Sequence, residues 1–189
     1  MIDLKKKGGK KIDWDTAWPI LKFILIFVVV HFSFQLLYNE IYLPYYEGLN
    51  PKGSDPFTFM VARHAASMLR MFGYDSQAGD AVRIFGSYVS LNGNRGITVI
   101  PGCSGANNVF LLLTLLLAFP GPIKKKLWYL PLAVVVFHFS NILRISLLTM
   151  LYNGTLKEYY YIIKPMATYV SHITLFFIFV LWLKISLRK

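Results

Sequence analysis

The sequence predicts an all-α, polytopic membrane protein with about four transmembrane helices and a small extracytoplasmic part made of an amphipathic helix and a β-hairpin. The chain of 189 residues is 56% hydrophobic. Its apolar runs approach or exceed the ~20 residues that a helix needs to cross a bilayer. Its basic residues cluster at the ends of those runs, as expected for residues that hold helix ends on the cytoplasmic side.

The chain begins with a basic tail, residues 1–17, that we expect to be cytoplasmic. Its glycines and lysines provide no apolar face that folding could bury. The first transmembrane helix is predicted over residues 18–38, from Trp18 to Tyr38. We expect it to remain in the mature protein, because no small-residue cleavage site of a signal peptide flanks it.

Residues 39–102 are predicted to form the one sizeable segment outside the bilayer. Asp55 followed by Pro56 is typical of a helix N-cap and a first-turn proline. Apolar residues then recur at helical spacing until Gly73, which predicts an amphipathic helix. These residues are Phe57, Val61, Ala65, Met68 and Phe72. We expect this helix to lie on the membrane surface.

The end of the outer segment has the pattern of a β-hairpin. Two β-rich runs, VRIFGSYVSL and RGITVI, are separated by Asn92, Gly93 and Asn94, a sequence that favours a tight turn. The second predicted strand leads directly to Pro101 and Cys103.

Residues 103–189 are predicted to contain transmembrane helices two to four. The second helix, Ser104–Phe119, has about 16 residues and is ~24 Å long, shorter than a ~30 Å hydrocarbon core. The end next to Cys103 should therefore lie below the outer interface. The third helix is predicted over Leu127–Tyr152, and the fourth over Pro165–Leu183, where the proline suits a first helical turn.

Four membrane crossings place both termini in the cytoplasm. On this assignment the cytoplasmic segments, with Lys22 counted, contain twelve basic and three acidic residues, and the outer loops contain seven basic and six acidic residues. Membrane topology therefore accounts for most of the formal net charge of +11. We expect the lipid bilayer, and no nucleic acid, as a partner.

Three polar residues in the predicted membrane region suggest chemistry. Cys103 is the only cysteine, which excludes an internal disulfide, a CxxC pair and a Cys-rich zinc site. Arg144 lies ~12 Å below the outer end of the third helix, where a guanidinium costs several kcal/mol unless a partner compensates it. No Asp or Glu occurs in the four predicted helices. Its partner should be a carbonyl, an outer acid such as Glu158, a thiolate or a bound substrate.

His172 lies ~10 Å below the outer end of the fourth helix, level with Arg144. The short second helix brings Cys103 toward the same depth. A thiol, an imidazole and a guanidinium from three helices are thus predicted to meet in the outer leaflet.

These residue types suit cysteine acyl transfer. A thiol at a helix N-terminus and near a cation loses its proton readily, and Cys103 would then act as the nucleophile. His172 can accept that proton and return one to a leaving amine, and Arg144 can stabilise the thiolate or the oxyanion. Gly102 and Gly105 allow close backbone approach, so helix N–H groups could form an oxyanion hole.

The motifs "CSG", which opens one predicted membrane helix, "NILRI" within the next, and the lone His in the last resemble the exosortase and archaeosortase family of membrane transpeptidases. The resemblance covers Cys103 to Leu183 and implies Cys103 as the nucleophile, with Arg144 and His172 as catalytic partners. Ser104 and Gly105 complete the first motif and are expected to support the site.

Asn141 belongs to the second motif and lies one turn before Arg144, where it could orient the guanidinium or bond helices together. The resemblance further implies protein substrates that are membrane-anchored by a C-terminal sorting signal: a short recognition motif, one transmembrane helix and a basic tail. On this interpretation the chain is a compact, multi-pass family member in the plasma (inner) membrane of a prokaryote, and its active site faces the extracytoplasmic side.

A non-enzymatic alternative remains at this point. In a membrane scaffold or a small transporter subunit, Arg144 would bind an anionic partner and Cys103 would only pack. No cofactor or metal is expected, because His31 and His138 lack a carboxylate or a second His at ligand spacing. We expect these two histidines to pack or to bond helices, and His64 to be solvated or among lipid headgroups.

Overall fold

A computed structural model of the protein describes residues 14–81, 83–154 and 157–187. The predicted basic tail lies outside the described residues up to residue 13. The described part is mostly helical and contains a small antiparallel sheet. Three of its helices are long and apolar enough to cross a membrane: Ala17–Leu49, Ile123–Asn153 and Lys157–Ser186. A fourth crossing stays a prediction.

The first membrane helix is longer than predicted. Helix α1 (Trp14–Leu36) continues into a π-helical segment (Leu37–Tyr42) and then α2 (Leu43–Leu49) without a break. The predicted end at Tyr38 therefore falls inside this helix. The chain continues as a helix through Pro44, whose missing N–H removes one helical hydrogen bond without ending the helix. The wider π turn places Tyr38 against the protein, where it is buried.

Helix α3 (Pro56–Met71) confirms the predicted outer helix and its N-cap. One carboxylate oxygen of Asp55 accepts hydrogen bonds from the N–H groups of Phe57 and Thr58, both at 3.1 Å. The apolar face, however, packs within the protein against helix α5 (Ile123–Asn153) and the sheet. Its fully buried residues are Val61, Ala62, Ala65, Ala66 and Leu69.

Two residues of α3 and its end lie outside this buried face. Phe72, the last residue of the predicted stripe, is exposed, because the helix ends at Met71 and Gly73 turns the chain with φ 87°. His64 is exposed, as expected, and its Nδ1 also lies 2.9 Å from Nε2 of His138 on α5. The His138 contact agrees with its predicted role in bonding helices.

The predicted hairpin is confirmed, and a third strand extends it. Strands β1 (Ala78–Asp80), β2 (Ser87–Leu91) and β3 (Asn94–Val99) form an antiparallel sheet in that order. Asn92 and Gly93, with φ 49° and 75°, form the two-residue turn between β2 and β3. Positive φ at both central residues is the geometry that matches the twist of a hairpin. Because β3 comes last in the strand order, it is an edge strand of this sheet.

After β3 the chain makes a 3-10 turn (Pro101–Cys103) and enters α4 (Ala106–Ala118). At 13 residues, α4 is shorter than the predicted second span and, at ~20 Å, shorter than a hydrocarbon core. It contacts the helices on three sides: α1, α5 and α6 (Tyr160–Leu187). Longer helices therefore surround it.

Helices α5 and α6 form the rest of the membrane part. The third predicted span lies within α5. The fourth was expected to begin near Pro165, but α6 begins at Tyr160 and Pro165 lies inside it. The missing N–H of Pro165 affects only the carbonyl one turn earlier, at Tyr161, which is exposed. An early proline therefore does not fix where a helix begins.

Candidate active site

The only cysteine lies in a tight turn just before α4, and the helix begins at Ala106, two residues after the predicted start at Ser104. Cys103 ends the 3-10 turn and is partly buried. The N–H groups of Cys103 and Ser104 both donate to the carbonyl of Ile100, at 2.8 and 3.0 Å. The Ser104 hydroxyl donates to the carbonyl of Pro101 at 2.7 Å. The backbone on both sides of the thiol is thus fixed by local hydrogen bonds.

Gly105 makes the transition from this turn to the helix. It adopts φ 88° and ψ 2°, a left-handed conformation that glycine adopts at little cost. A Cβ atom at this position would lie 2.8 Å from Nδ2 of Asn141. Both the backbone conformation and the close approach of Asn141 therefore require glycine.

Asn141 joins the cysteine turn to α5. It is buried, and its Nδ2 donates to the carbonyl of Ser104 at 2.6 Å. Its Oδ1 atom is buried without a partner among the described residues. The structure thus favours the helix-bonding alternative for Asn141: it holds the turn against α5 rather than bonding the guanidinium.

Arg144 lies one turn further along α5 and reaches the same turn. Its Nη2 donates to the carbonyl of Cys103 at 2.8 Å, and the guanidinium also interacts electrostatically with the cysteine side chain. No carboxylate of the described residues pairs with it, and Glu158 is exposed in a separate 3-10 turn. Of the expected partners, the structure therefore shows a carbonyl. The Nε–H of Arg144 is buried and unpartnered.

A cavity of about 370 Å³ opens beside Cys103 and Arg144. The sheet edge, α5 and α6 form its walls. From α6 it receives Lys164 and Thr168, and from the helix ends the rings of Tyr152 and Tyr160. The residues that line it include two cations and no Asp or Glu. This composition suits a largely apolar ligand with an electron-rich group near Arg144.

His172 lies one turn beyond Thr168 on α6. Residues 164, 168 and 172 are spaced by four and share one face of the helix, and the first two line the cavity. The His172 ring is exposed, and it is not among the residues that line the cavity. The structure therefore brings Cys103 and Arg144 to one cavity and leaves His172 out of its lining.

The depth of His172 agrees with the expectation. Helices α5 and α6 are in contact where Ser140 Oγ lies 3.0 Å from Thr174 Oγ1 and where the rings of Tyr152 and Tyr160 lie 5.0 Å apart. In this antiparallel pair Arg144 lies opposite residue 170, so that His172 is two residues, or ~3 Å along the axis, away.

The hydrogen bond of His172 defines its tautomer. Nδ1 lies 3.0 Å from the carbonyl oxygen of Thr168. A carbonyl can only accept, so Nδ1 carries the proton and a neutral ring has an unprotonated Nε2. This is the form of imidazole that can accept a proton from a thiol.

Sequence reasoning missed two contributors to this cavity. Lys164 and Thr168 were unremarkable in a membrane helix end, and only their spacing of four from His172 could have indicated a shared face. The contribution of β3 had no sequence signal beyond its position just before Cys103.

The chain matches the family model described as transmembrane exosortase (Exosortase_EpsH) over residues 17–183. The match spans most of the chain and includes the outer segment as well as the cysteine turn, α5 and α6. No curated protein and no solved structure matches the chain.

Proposed function

Because the chain belongs to the transmembrane exosortase family, and because membership of this family implies a transpeptidase role, we propose that it is a membrane-embedded cysteine transpeptidase or protease. It would cleave the C-terminal sorting signal of membrane-anchored exported proteins from the extracytoplasmic side of a prokaryotic plasma membrane. The observation that carries the proposal is the cavity lined by both the only cysteine and Arg144, whose guanidinium has no carboxylate partner among the described residues.

The first half of the reaction forms an acyl-enzyme. The Cys103 thiol gives its proton to Nε2 of His172, and the sulfur attacks the scissile carbonyl carbon. As the C–S bond forms, the carbonyl π electrons move to oxygen and the Arg144 guanidinium stabilises the oxyanion. The C–N bond then breaks, and the leaving nitrogen takes the proton from His172. The C-terminal anchor departs as an amine, and the rest of the substrate remains as a thioester.

The second half transfers the acyl group. A water molecule or an amine attacks the thioester carbonyl, its proton passes to His172, and the C–S bond breaks to regenerate the thiol. Arg144 would stabilise the oxyanion that forms at the same carbonyl in both halves of the reaction. The N–H groups of Cys103 and Ser104 donate to Ile100 in the resting turn, which supports Arg144 as the main oxyanion donor.

His172 would have to move for this role, because its ring is exposed and does not line the cavity. Catalytic hydrogen bonds that are long in a free enzyme commonly shorten when substrate binds.

The proposal is tested by mass spectrometry of Cys103 in native membranes. We expect a thioester that links Cys103 to the new C-terminus of an exported protein. Cys103→Ala should insert and fold normally, because the side chain is small and partly buried, but it should accumulate uncleaved substrate.

Normal processing by Cys103→Ala, in cells without a related enzyme, would contradict covalent catalysis. Alkylation of Cys103 no faster than that of an ordinary cysteine, together with the absence of a thioester, would instead support the scaffold or transporter alternative.

A further inference from the structure

Strand β3 contributes an unusual wall to the cavity. Five consecutive residues, 96–100, line it. A strand that presents one face contributes only every second residue, because successive side chains alternate. The cavity therefore meets the edge of β3, where backbone groups are accessible, and not only one of its faces.

The hydrogen-bond pattern of the sheet shows which backbone groups face the cavity. The N–H of Ser90 on β2 donates to Gln77, on the β1 side. Because alternate residues of an antiparallel strand address opposite neighbours, Ser87 and Val89 on β2 address β3. Their register partners on β3 are Val99 and Ile97.

Thr98 lies between those two residues and must direct its N–H and C=O away from β2. The position of the Val99 carbonyl agrees with this pattern, because this carbonyl points toward β2. Its oxygen would lie 2.6 Å from a Cβ atom added to Gly86, the residue just before β2. No group in the described part of the chain forms a hydrogen bond with the Thr98 backbone. A donor and an acceptor thus face the cavity at Thr98.

We propose that the free edge of β3 binds the cleavage segment of the substrate as an added β-strand, with its central hydrogen bonds at the N–H and C=O of Thr98. This inference rests on the proposed function and specifies how the substrate is held. Strand addition uses main-chain hydrogen bonds and accepts many side chains, so it suits an enzyme that acts on several exported proteins.

The position of β3 relative to the thiol fits this arrangement. Four residues separate Thr98 from Cys103, and the intervening chain turns at Pro101 beside the cavity. A peptide bonded at Thr98 rises ~3.3 Å per residue, so a few residues bring its next carbonyl to the thiol. The extended conformation also exposes that carbonyl for attack.

The walls beside the edge favour a single added strand. Gly96 lies close to α5. A Cβ atom at this position would lie 2.8 Å from Cγ2 of Thr149 and would overlap the carbonyl of Val89. Beyond it the cavity is bounded by α5 and α6. A second copy of this chain would have to bring its own strand into this space, whereas one extended peptide fits it.

The test uses the trapped acyl-enzyme, so the substrate need not be known beforehand. A photoreactive amino acid replaces Thr98 in the full chain, in native membranes, and a matched variant carries it at Asp80 on the opposite sheet edge. After illumination, mass spectrometry reads both the thioester on Cys103 and the cross-linked peptide. We expect the Thr98 variant, but not the Asp80 variant, to cross-link the exported protein that forms the thioester, within a few residues of its cleavage point.

The outcomes separate the two proposals. A thioester without a cross-link at position 98, or with a cross-link to a second copy of this chain, overturns strand addition and leaves the proposed function intact. The absence of any thioester contradicts the proposed function and strand addition together.

A second pair of variants tests the hydrogen bond itself. Thr98→Pro removes one N–H at a position where an edge strand tolerates proline, and Thr98→Val keeps the N–H and nearly the same shape. For the substrate found above, we expect kcat/KM to fall about 3- to 10-fold in Thr98→Pro, the effect of losing one hydrogen bond. The reference for this fall is Thr98→Val, which differs from Thr98→Pro in keeping the N–H. Equal kcat/KM in the two variants, with both folded, would overturn strand addition.

Discussion

Hydrogen bonds from two side chains of α5 hold the cysteine turn. Asn141 bonds the carbonyl of Ser104, and Arg144 bonds the carbonyl of Cys103. Both anchors act on the backbone of the turn. The Nε–H of Arg144 is buried and has no hydrogen-bond partner among the described residues.

Replacing Gly105 tests whether this turn depends on glycine. In Gly105→Ala the left-handed φ costs roughly 1–2 kcal/mol, and the new methyl group displaces Asn141. We expect a lower thermal midpoint in detergent and a loss of substrate processing. Gly102→Ala is the control, because a Cβ there has no neighbour within 4 Å. Indistinguishable behaviour of the two variants would show that the turn is not under this constraint.

Replacing Arg144 separates charge from geometry. Arg144→Lys keeps the positive charge but loses the planar group that can bond the Cys103 carbonyl and an oxyanion together. Since a charge-assisted hydrogen bond contributes ~1.5–3 kcal/mol, we expect kcat/KM to fall by about 10- to 100-fold.

The matched control is Arg63→Lys on α3, which is exposed and should retain full activity. Full activity of Arg144→Lys would mean that charge alone suffices at this position.

At the scale of secondary structure, α3 and the sheet form a wall that places β3 beside the cysteine turn. The buried face of α3 packs on α5 and on β2, and it shares one apolar core with Val89, Ile97 and Val99 of the sheet. The position of β3 relative to α5 therefore depends on α3. Its N-cap is a distant but necessary support of the candidate site.

The N-cap of α3 offers a stability test. Asp55→Ala removes the acceptor of two backbone N–H groups, and we expect a loss of about 1–2 kcal/mol of unfolding free energy. Thermal unfolding in detergent measures it. Asp55→Asn should restore most of the stability, because its amide oxygen can also cap. Asp75→Ala, at an exposed carboxylate, is the control; a loss as large as that of Asp55→Ala would contradict a specific capping role.

At the scale of the whole molecule, a short central helix is enclosed by three long ones. Helix α4 has 13 residues, yet it contacts α1, α5 and α6 and buries Leu112 and Leu116. Longer neighbours shield its ends, so a helix of ~20 Å is tolerated within a bilayer. The cysteine turn can then lie below the outer surface, in a cavity that other elements close.

The predicted topology is tested by labelling single cysteines in the Cys103→Ala protein. Cysteine at position 75, exposed in the outer segment, should react with a membrane-impermeant maleimide in intact cells. Cysteine at position 123, exposed at the start of α5 beside three lysines, should react only after permeabilisation. Labelling of position 123 in intact cells would contradict four crossings with both termini inside.

The sequence by itself determined the membrane character, the outer helix with its cap, the hairpin and the family, because periodicity, caps and short motifs are local signals. It also identified Cys103 and Arg144 as polar groups that need an explanation within apolar runs. Helix ends were predicted less well: Tyr38 and Pro165 both lie inside helices, because a single proline, here Pro44 or Pro165, removes one backbone hydrogen bond without ending the helix.

Only the tertiary structure decided which atoms meet. The bonds that hold the cysteine turn join residues 37 and 41 positions apart, and no local pattern encodes such a contact. The packing of α6 on α5 placed Lys164 and Thr168 in the lining of the cavity and left His172 out of it. The pairing of β3 with β2 leaves the Thr98 backbone without a hydrogen bond to any residue that the structure describes. These contacts depend on which face each helix or strand turns toward its neighbours. That orientation is fixed because several elements must bury their apolar faces against one another at once.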